Sequence, residues 1–231
     1  IMDQINEKAL QELEEYKKQG CHMMIPTIGS LEALADGYVM TVNVVKISPF
    51  PLDGDVYPHD SKQWDDEKGD WKTKCTGNER VRFHAQGCQA LADGADVRWS
   101  LPEFTVDPKY PRVLCNLTGA VMKPNGTWRT MPDCFGSDLD IVKEELIARY
   151  TYEGVFNVKK QYLVDRELLQ KRKHQKTSAV TGAQNRITIK LLRLKRTYTV
   201  KELERPFVFI QISFRPDMKD PNTRRMVTEA N

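Results

Sequence analysis

The stretch from residue 168 to residue 201 constrains the fold of this chain more than any other part of its sequence. It contains ten Lys and Arg residues and no Asp or Glu. Five of its apolar residues recur at helical spacing and would line one side of an α-helix: Val180, Ala183, Ile187, Leu191 and Leu194. The sequence therefore predicts one long helix, ending near residue 195, with an apolar side and a positively charged flank.

The bases of this stretch predict a surface for a polyanion. On such a helix the bases beside the apolar stripe are Lys171, Arg186, Lys190, Arg193 and Arg196. A run of charge is usually a solvated face, but such faces mix acids among their bases, and this one has none. Because a nucleic-acid backbone is the commonest polyanion, we expect the helix to contact nucleic acid.

Composition places this basic region within an otherwise ordinary globular chain. The net charge is only +3, yet residues 151–205 carry fourteen bases against five acids, which leaves −6 for the remainder. A hydrophobic content of 40% with a mean hydropathy of −0.56 is typical of a globular protein. No apolar run reaches the roughly 18 residues of a membrane span, no signal peptide opens the sequence, and no CxxC pair occurs. We expect a cytoplasmic protein with reduced thiols and no membrane contact.

The remaining patterns predict an α+β fold. Its core is an antiparallel β-hairpin sheet packed on the long basic helix, with an extra N-terminal helix over residues 2–19. Residues 48–78 are predicted to be a mobile loop, because prolines and acids dominate them. We expect a single domain over 1–215 and a loose C-terminal tail over 216–231. The other predicted elements are strands at 38–47, 79–84, 96–101 and 207–214, a helix at 87–95, a helix after Asp138, and a short turn at 200–204 capped by Thr199 with Glu202.

The clearest local signal is a hairpin. Residues 112–122 and 127–135 read as strands, and Asn125-Gly126 between them is a strong turn signal. Lys123 and Arg129 lie at or just past the tip. They could make a second contact with a nucleic-acid strand, or they could be ordinary solvated turn residues.

Catalytic and metal-binding patterns are missing from the sequence. There is no phosphate-binding loop, no GxSxG, no HExxH and no clustered histidines. The acids near residue 67 are consecutive in a polar loop without a ligand pattern, which disfavours a metal site. We therefore expect no enzyme activity, no cofactor and no metal. Tyr150, Tyr152 and Phe156 could stack on bases, although aromatics at this spacing more often belong to a core.

Two blocks of the sequence form a recognisable pattern. The first is TSAVTGAQNRITIKLLRLKRTYTVKELERPFV at 177–208. The second comprises Val56-Tyr57-Pro58, the Gly-bounded helix before Trp99, and the run from Gly119 to Trp128. Together they resemble single-strand annealing proteins of phage and prophage recombination, the broad group that includes Rad52, RecT, Redβ and Erf. The likeness covers residues 50–210. At 187–189 the chain has Ile-Thr-Ile where the pattern favours Ala and Ile, which lowers helix propensity slightly.

The resemblance implies a Rad52-like β-β-β-α core and a function without bond-making chemistry. Such a protein binds single-stranded DNA, anneals complementary strands without ATP, holds the annealed duplex intermediate, and works as a homo-oligomeric ring or filament. The resemblance also implies that the protein acts in the cytoplasm of a bacterial host cell, with a phage exonuclease and a host single-strand-binding protein as partners. The residues assigned to DNA contact are Lys171, Arg172, Lys173, Lys176, Arg186, Lys190, Arg193, Arg196, Lys123 and Arg129.

Three points stay open at this stage. Lys176 projects nearer the apolar stripe than the other bases and could snorkel. Gly182 could admit a close approach by DNA or by a neighbouring helix. A non-annealing regulator or RNA-binding module, and a phage assembly protein whose basic helix meets an acidic partner, remain alternative functions.

Overall fold

A computed structural model describes residues 2–28, 34, 37–60, 63–65, 67–72, 75–106, 111–152, 154–155 and 157–214. Within these ranges the fold is mixed α+β with several antiparallel sheets, which confirms the predicted class. The helices are α1 Met2–Lys18, α2 Ile25–Ile28, α3 Ala85–Gly94, α4 Leu139–Tyr152, α5 Val158–Lys173, α6 Gln175–Leu191 and α7 Val200–Leu203. The strands are β1 His22–Met23, β2 Tyr38–Val45, β3 Val56–Pro58, β4 Trp64–Asp65, β5 Asp70–Trp71, β6 Arg80–Phe83, β7 Arg98–Trp99, β8 Glu103–Val106, β9 Arg112–Met122, β10 Trp128–Asp138, β11 Tyr198–Thr199 and β12 Phe207–Phe214.

The chain divides into two compact units that alternate along the sequence. The first unit comprises Ile1–Arg98, Gly119–Met131 and Thr188–Asn231, and the second comprises Trp99–Thr118 and Pro132–Ile187. The single domain over 1–215 stays a prediction. The predicted tail at 216–231 lies outside the described residues.

The core of the first unit is built on β12. This strand pairs in parallel with β1 and antiparallel with β2 along its whole length, from Phe207 opposite Val45 to Phe214 opposite Tyr38. The N-terminal helix packs on this sheet, because Ala9 and Leu13 of α1 are buried in one cluster with apolar residues of β2 and β12. The predicted N-terminal helix therefore packs on its own chain through these apolar residues.

The segment 48–78, predicted as a loop, contains three short strands among its described residues. β3 pairs with β6, with Val56 opposite Phe83, and β4 pairs with β5. The two tryptophans of the β4–β5 pair lie opposite each other, with ring centroids 5.3 Å apart in a T-shaped arrangement. Aromatic pairs across two strands stabilise such ribbons, and this contact outweighs the proline-rich and acidic composition.

The loop of residues 75–79, which precedes β6, is held together by hydrogen bonds to the ionised carboxylate of Glu79. The carboxylate accepts hydrogen bonds from the backbone N–H groups of Thr76 (2.9 Å) and Gly77 (2.8 Å) and from the Thr76 hydroxyl (2.9 Å). These donors, the Thr76 backbone first, lower the pKa of Glu79 to about 2. The start of α7 is hydrogen-bonded to the same loop, because the Val200 N–H donates to the Glu79 carbonyl.

The lowered pKa of Glu79 predicts that acid destabilises the first unit. An unfolded Glu titrates near pH 4.5 and the folded one near 2, so the stabilisation is full above pH 4.5 and is lost as pH falls through that window. We expect Glu79→Gln to lower the free energy of unfolding at pH 7 and to flatten its dependence between about pH 4.5 and 2. Urea unfolding at several pH values measures this; an unaltered pH slope in the variant would contradict it.

The predicted hairpin is confirmed as β9 and β10, which are neighbours in one sheet. β7 and β8 both pair with β9, and in the second unit Glu103 of β8 lies opposite Asn116 while Phe104 lies opposite Cys115. The helix predicted after Asp138 is α4, and the Asp138 carboxylate accepts from the backbone N–H of Asp140 at 3.0 Å.

Two helices form where one long basic helix was predicted, so the predicted length of the helix is wrong. α5 ends at Lys173, His174 leaves helical geometry, and α6 begins at Gln175. The apolar stripe itself is confirmed for four of its members, since Ala183, Ile187, Leu191 and Leu194 are buried and Val180 is half-buried. The predicted capping box is also confirmed, with Thr199 and Glu202 exchanging hydrogen bonds at the start of α7.

The end of α6 has a specific cause. Leu194 N–H donates to the Ile189 carbonyl (2.9 Å) and Arg193 N–H to the Lys190 carbonyl (3.3 Å), which is the hydrogen-bond pattern of a Schellman motif. Arg193 occupies the left-handed position with φ +54°. The helix therefore ends at Leu191 rather than near residue 195.

Candidate nucleic-acid interface

Three consecutive bases form the last turn of α5. Lys171, Arg172 and Lys173 are exposed, and no carboxylate of the described residues lies within ion-pair distance of any of them. Cations at a helix C-terminus are favoured by the helix dipole, which gives these residues a stabilising role of about 0.3–1 kcal/mol each. Their charge is nevertheless available to a ligand, and we call this turn the basic turn.

Gln175 fixes the basic turn in place. Its side chain is buried, and its amide nitrogen donates to the carbonyl oxygens of Pro111 (2.8 Å) and Ser137 (3.0 Å) at one end of the hairpin. A buried amide that keeps both hydrogen bonds positions the adjoining helix ends rigidly. The sequence does not indicate this role for Gln175, because a Gln inside a run of polar and basic residues carries no signal of burial.

Lys176 is partly engaged by the sheet. Its ammonium lies 5.5 Å from the ring centroid of Phe104 on β8, and Phe104 is itself partly exposed. This cation–π contact agrees with the expectation that Lys176 lies near the apolar side of the helix. Its charge remains at the surface.

Arg186 holds α6 against the hairpin. Its guanidinium lies 5.3 Å from the ring centroid of Phe135 on β10, and Nη1 donates to the Cys134 carbonyl at 3.2 Å. The side chain is exposed, so it can still reach a ligand, but it has a structural role as well. The sequence indicates only the contact of Arg186 with nucleic acid.

Gly182 explains how closely α6 approaches the hairpin. A Cβ atom at this position would lie 2.5 Å from the Phe135 ring, well inside van der Waals contact. The close approach expected at Gly182 is therefore made by the aromatic ring of Phe135. Phe135 lies between Gly182 and Arg186, one turn apart on the helix.

Each face of the same sheet carries a carboxylate. A cavity of about 640 Å³ is lined by residues that include Glu103, Asn116 and Cys134. In this sheet Phe104 and Phe135 point to α6, so the alternation of side chains places Glu103 and Cys134 on the other face and Asp133 on the side of Phe135. Carboxylates repel a phosphate backbone, so the candidate interface is defined by the exposed bases of the basic turn and of α6.

The other assigned bases belong to the first unit. Lys190 is exposed near the end of α6, while Arg193 and Arg196 are exposed beyond it. Because α6 ends at Leu191, the prediction that Arg193 and Arg196 continue the basic face of one helix is wrong.

At the hairpin tip, Lys123 and Arg129 are half-buried, and Gly126 adopts φ +75° in the turn. Trp128 beside Arg129 is 47% exposed, and sequence analysis had not proposed it as a contact. An exposed indole next to a guanidinium can stack on bases, so its exposure is the signal that was missing from the sequence.

The aromatic residues before the basic turn have separate roles. The Tyr150 hydroxyl donates to the Glu167 carboxylate and links α4 to α5. Tyr152 is 94% exposed and therefore is not a core residue. Phe156 lies outside the described residues.

Substitutions of Arg193 separate the backbone strain at this residue from its proposed contact with phosphate. A non-glycine residue in the left-handed region costs about 1 kcal/mol, so we expect Arg193→Gly to raise the free energy of unfolding by about 0.5–1 kcal/mol. If the guanidinium also contacts phosphate, the same variant binds single-stranded DNA more weakly. Arg193→Ala is the control, because it removes the charge and keeps the strained Cβ. Equal stability of the two variants, measured by urea unfolding, would contradict the assigned strain.

Comparison with known protein families, curated proteins and solved structures finds no match for this chain. In the described part of the chain, no group of three or more His, Cys, Asp or Glu side chains is arranged to hold a metal ion. Among the same residues, no helix combines the length and the apolar character required to cross a membrane.

Proposed function

We propose that this chain binds single-stranded DNA and anneals complementary strands without ATP, as a homo-oligomeric ring or filament in phage recombination. The observation that carries the proposal is the basic turn. Lys171, Arg172 and Lys173 project from a rigid, Gln175-anchored junction, and no described carboxylate neutralises them. A binding surface that neutralises phosphates needs such fixed and unpaired bases.

The arrangement suits annealing because it requires no reacting groups. Contacts to phosphate leave the base edges open to a complementary strand, and repetition of the surface from subunit to subunit extends the track. Lys176 and Arg186 would extend the phosphate contact along α6. Lys190, Arg193, Arg196, Lys123 and Arg129 are proposed as further contacts of the first unit.

A Rad52-like core is part of the proposal. The proposal is supported by the succession of β8, β9 and β10, and by the packing of α6 on the face of these strands that carries Phe104 and Phe135. In this chain α4 and α5 intervene between the hairpin and the packed helix. We propose a phage exonuclease and a host single-strand-binding protein as partners in the cell, and no enzymatic activity for the chain itself.

The decisive experiment measures annealing directly. Two complementary oligonucleotides, one with a fluorophore and one with a quencher, are mixed with and without the protein, in the absence of ATP and metal. The protein is expected to increase the rate of quenching, and a non-complementary pair serves as the control. An annealing rate equal to that without protein would reject the proposal.

The same materials separate the alternative functions. Binding of single strands without faster annealing indicates a nucleic-acid-binding regulator, and preferential binding of structured RNA indicates an RNA-binding module. Absence of binding to any nucleic acid indicates that the basic turn meets an acidic protein partner. Electron microscopy with single-stranded DNA is expected to show rings or filaments.

A further inference from the structure

The sheet of β3, β6 and β11 presents one of its faces to solvent. In β6 the side chains of Val81 and Phe83 are buried, so Arg80 and Arg82 lie on the opposite face, where both are exposed. β6 is the central strand of this sheet, with β11 on one side and β3 on the other. The first unit therefore carries two exposed arginines in the middle of a sheet face.

Aromatic side chains flank the arginines on this face. Tyr57 of β3 lies opposite Arg82 and is 41% exposed. The Tyr57 ring is in T-shaped contact with the ring of exposed His84, and their centroids are 6.4 Å apart. His59 is exposed at the other end, where its backbone N–H donates to the Arg80 carbonyl at 2.9 Å. We call the surface formed by Tyr57, His59, Arg80, Arg82 and His84 the β6 face.

The positive charge of the β6 face is not balanced within the sheet. Neither Arg80 nor Arg82 forms an ion pair or a side-chain hydrogen bond with any residue that the structure describes. On the other side of β6, Thr199 of β11 lies opposite Arg80. Solvated faces usually mix charges of both signs. Two such arginines beside exposed rings suit a ligand that combines negative charge with aromatic groups.

A polar cavity of about 490 Å³ adjoins the Arg80 end of this face. It is lined by His59, Asp60, Gln63, Asn78 and Arg80. The Asp60 carboxylate disfavours phosphate there, whereas the amides and the carboxylate supply donors and acceptors that suit the edge of a nucleobase. We therefore expect contact with phosphate at Arg82 and contact with a base at the Arg80 end.

We propose that the β6 face binds single-stranded nucleic acid, with bases stacked on Tyr57 and His84 and a phosphate held by Arg82. Sheet faces with exposed aromatic and basic side chains hold unpaired strands in this way, because every base has a face that can stack on a ring. The bases of a duplex are already stacked on one another, so the surface should favour single strands.

This inference goes beyond the proposed function. The basic turn was assigned contact with phosphate alone and belongs to the second unit, whereas the β6 face belongs to the first and contacts bases. Its existence does not require that the chain anneals strands.

Photocrosslinking of the native chain tests the stacking directly. The probe is an oligothymidylate of about twelve nucleotides, within the usual site size of such surfaces. One thymine is replaced with 5-iodouracil, which crosslinks under ultraviolet light to aromatic side chains in contact with it. We expect the crosslinked peptide to contain Tyr57 or His84, and unlabelled single strand to suppress the crosslink more than duplex does. Crosslinks confined to peptides outside the β6 face would overturn the proposal.

Substitutions of Tyr57 measure the same contact by affinity. Loss of one stacked base weakens binding by about fivefold or more, so we expect this loss of affinity for the oligothymidylate in Tyr57→Ala. Its salt slope should stay native because no charge is removed, and Tyr57→Phe should bind as the native chain does because it keeps the ring. Tyr162→Ala is the matched control, since Tyr162 is 64% exposed but belongs to the second unit. Equal affinities of folded Tyr57→Ala and Tyr162→Ala, with folding verified by circular dichroism, would overturn the proposal.

Arg82→Ala tests the contact with phosphate. We expect the slope of log K against log salt concentration to fall by about 0.7, the contribution of one phosphate contact in a single strand. Arg98→Ala is the matched control, because Arg98 is an exposed arginine of the first unit that pairs with Asp96 at 3.0 Å. Equal slopes for the two variants would contradict the role of Arg82.

An oligouridylate of the same length distinguishes RNA from DNA as the ligand. Tighter binding of oligouridylate that depends on Tyr57 assigns the β6 face to RNA, and tighter binding of oligothymidylate with this dependence assigns it to DNA. Either result supports the proposal, and binding of both probes independently of Tyr57 rejects it.

Failure of this inference is distinguishable from failure of the proposed function. If Tyr57→Ala binds and anneals as the native chain does, the β6 face is rejected and the proposed function stands. If the native chain binds single strands through Tyr57 but does not accelerate annealing, the proposed function is rejected and the β6 face stands.

Discussion

Replacing Lys171, Arg172 and Lys173 together with alanine is expected to weaken binding of single-stranded DNA by on the order of 10–100-fold at 0.15 M salt. Each base that neutralises a phosphate of a single strand contributes about 0.7 to the slope of log K against log salt concentration, so the slope should fall by about 2. Fluorescence anisotropy at several salt concentrations measures both quantities. The fold should persist, because none of the three side chains has an ion pair or hydrogen bond in the described chain that the substitution would remove.

A matched control replaces three exposed lysines of α1, namely Lys8, Lys17 and Lys18, with alanine. This variant loses the same formal charge on a helix that also carries acids, and Lys8 and Lys17 already pair with Glu12 and Glu14. Its affinity should change little. If the two triple variants lose affinity and salt slope equally, general charge rather than the basic turn governs binding, and our assignment of the interface fails.

Gly182→Ala is expected to destabilise the protein although alanine is the better helix former. In an exposed helix the change would stabilise by about 1 kcal/mol. Here the new Cβ would lie 2.5 Å from the Phe135 ring and 2.8 Å from its Cγ, so either α6 or the hairpin must shift. Overpacking of this kind costs about 1–3 kcal/mol, and we expect a net loss of about 1–2 kcal/mol in the free energy of unfolding.

A double-mutant cycle tests the cause. In a Phe135→Ala background the ring is gone, and Gly182→Ala should then be stabilising, as helix propensity alone predicts. Ser178→Ala, at an exposed position of the same helix, provides the reference for propensity. A loss of stability that is the same with and without the Phe135 ring would show that steric conflict with this residue is not the reason.

Local signals predicted the elements whose stability depends on their own residues. Asn125-Gly126 between alternating strands placed the hairpin correctly, because few residues adopt the required turn. Thr199 and Glu202 predicted the capping box at α7, since its hydrogen bonds join residues three apart. The apolar spacing from Ala183 to Leu191 likewise predicted the buried side of α6.

Long-range contacts decided the features that the sequence did not reveal. Val56 to Pro58 form a strand because β6, far along the chain, offers them hydrogen bonds. Residues 168–195 do not form one helix, because Gln175 donates to two hairpin carbonyls and Arg193 adopts the left-handed position that ends α6. Neither event alters the periodicity of apolar residues, which is the signal that predicts helices.

The sequence by itself determined the charge of this protein, its hairpin, its capped turn and the apolar side of α6, since each depends on residue type and on neighbours within a few positions. The tertiary structure decided which bases remain available. It engages Arg186 with Phe135 and Cys134, places Lys176 over Phe104, and leaves the basic turn without a carboxylate partner among the described residues. Whether a charge is available to a ligand depends on the groups that folding brings close to it. These groups are distant along the chain, so the local sequence pattern does not identify them.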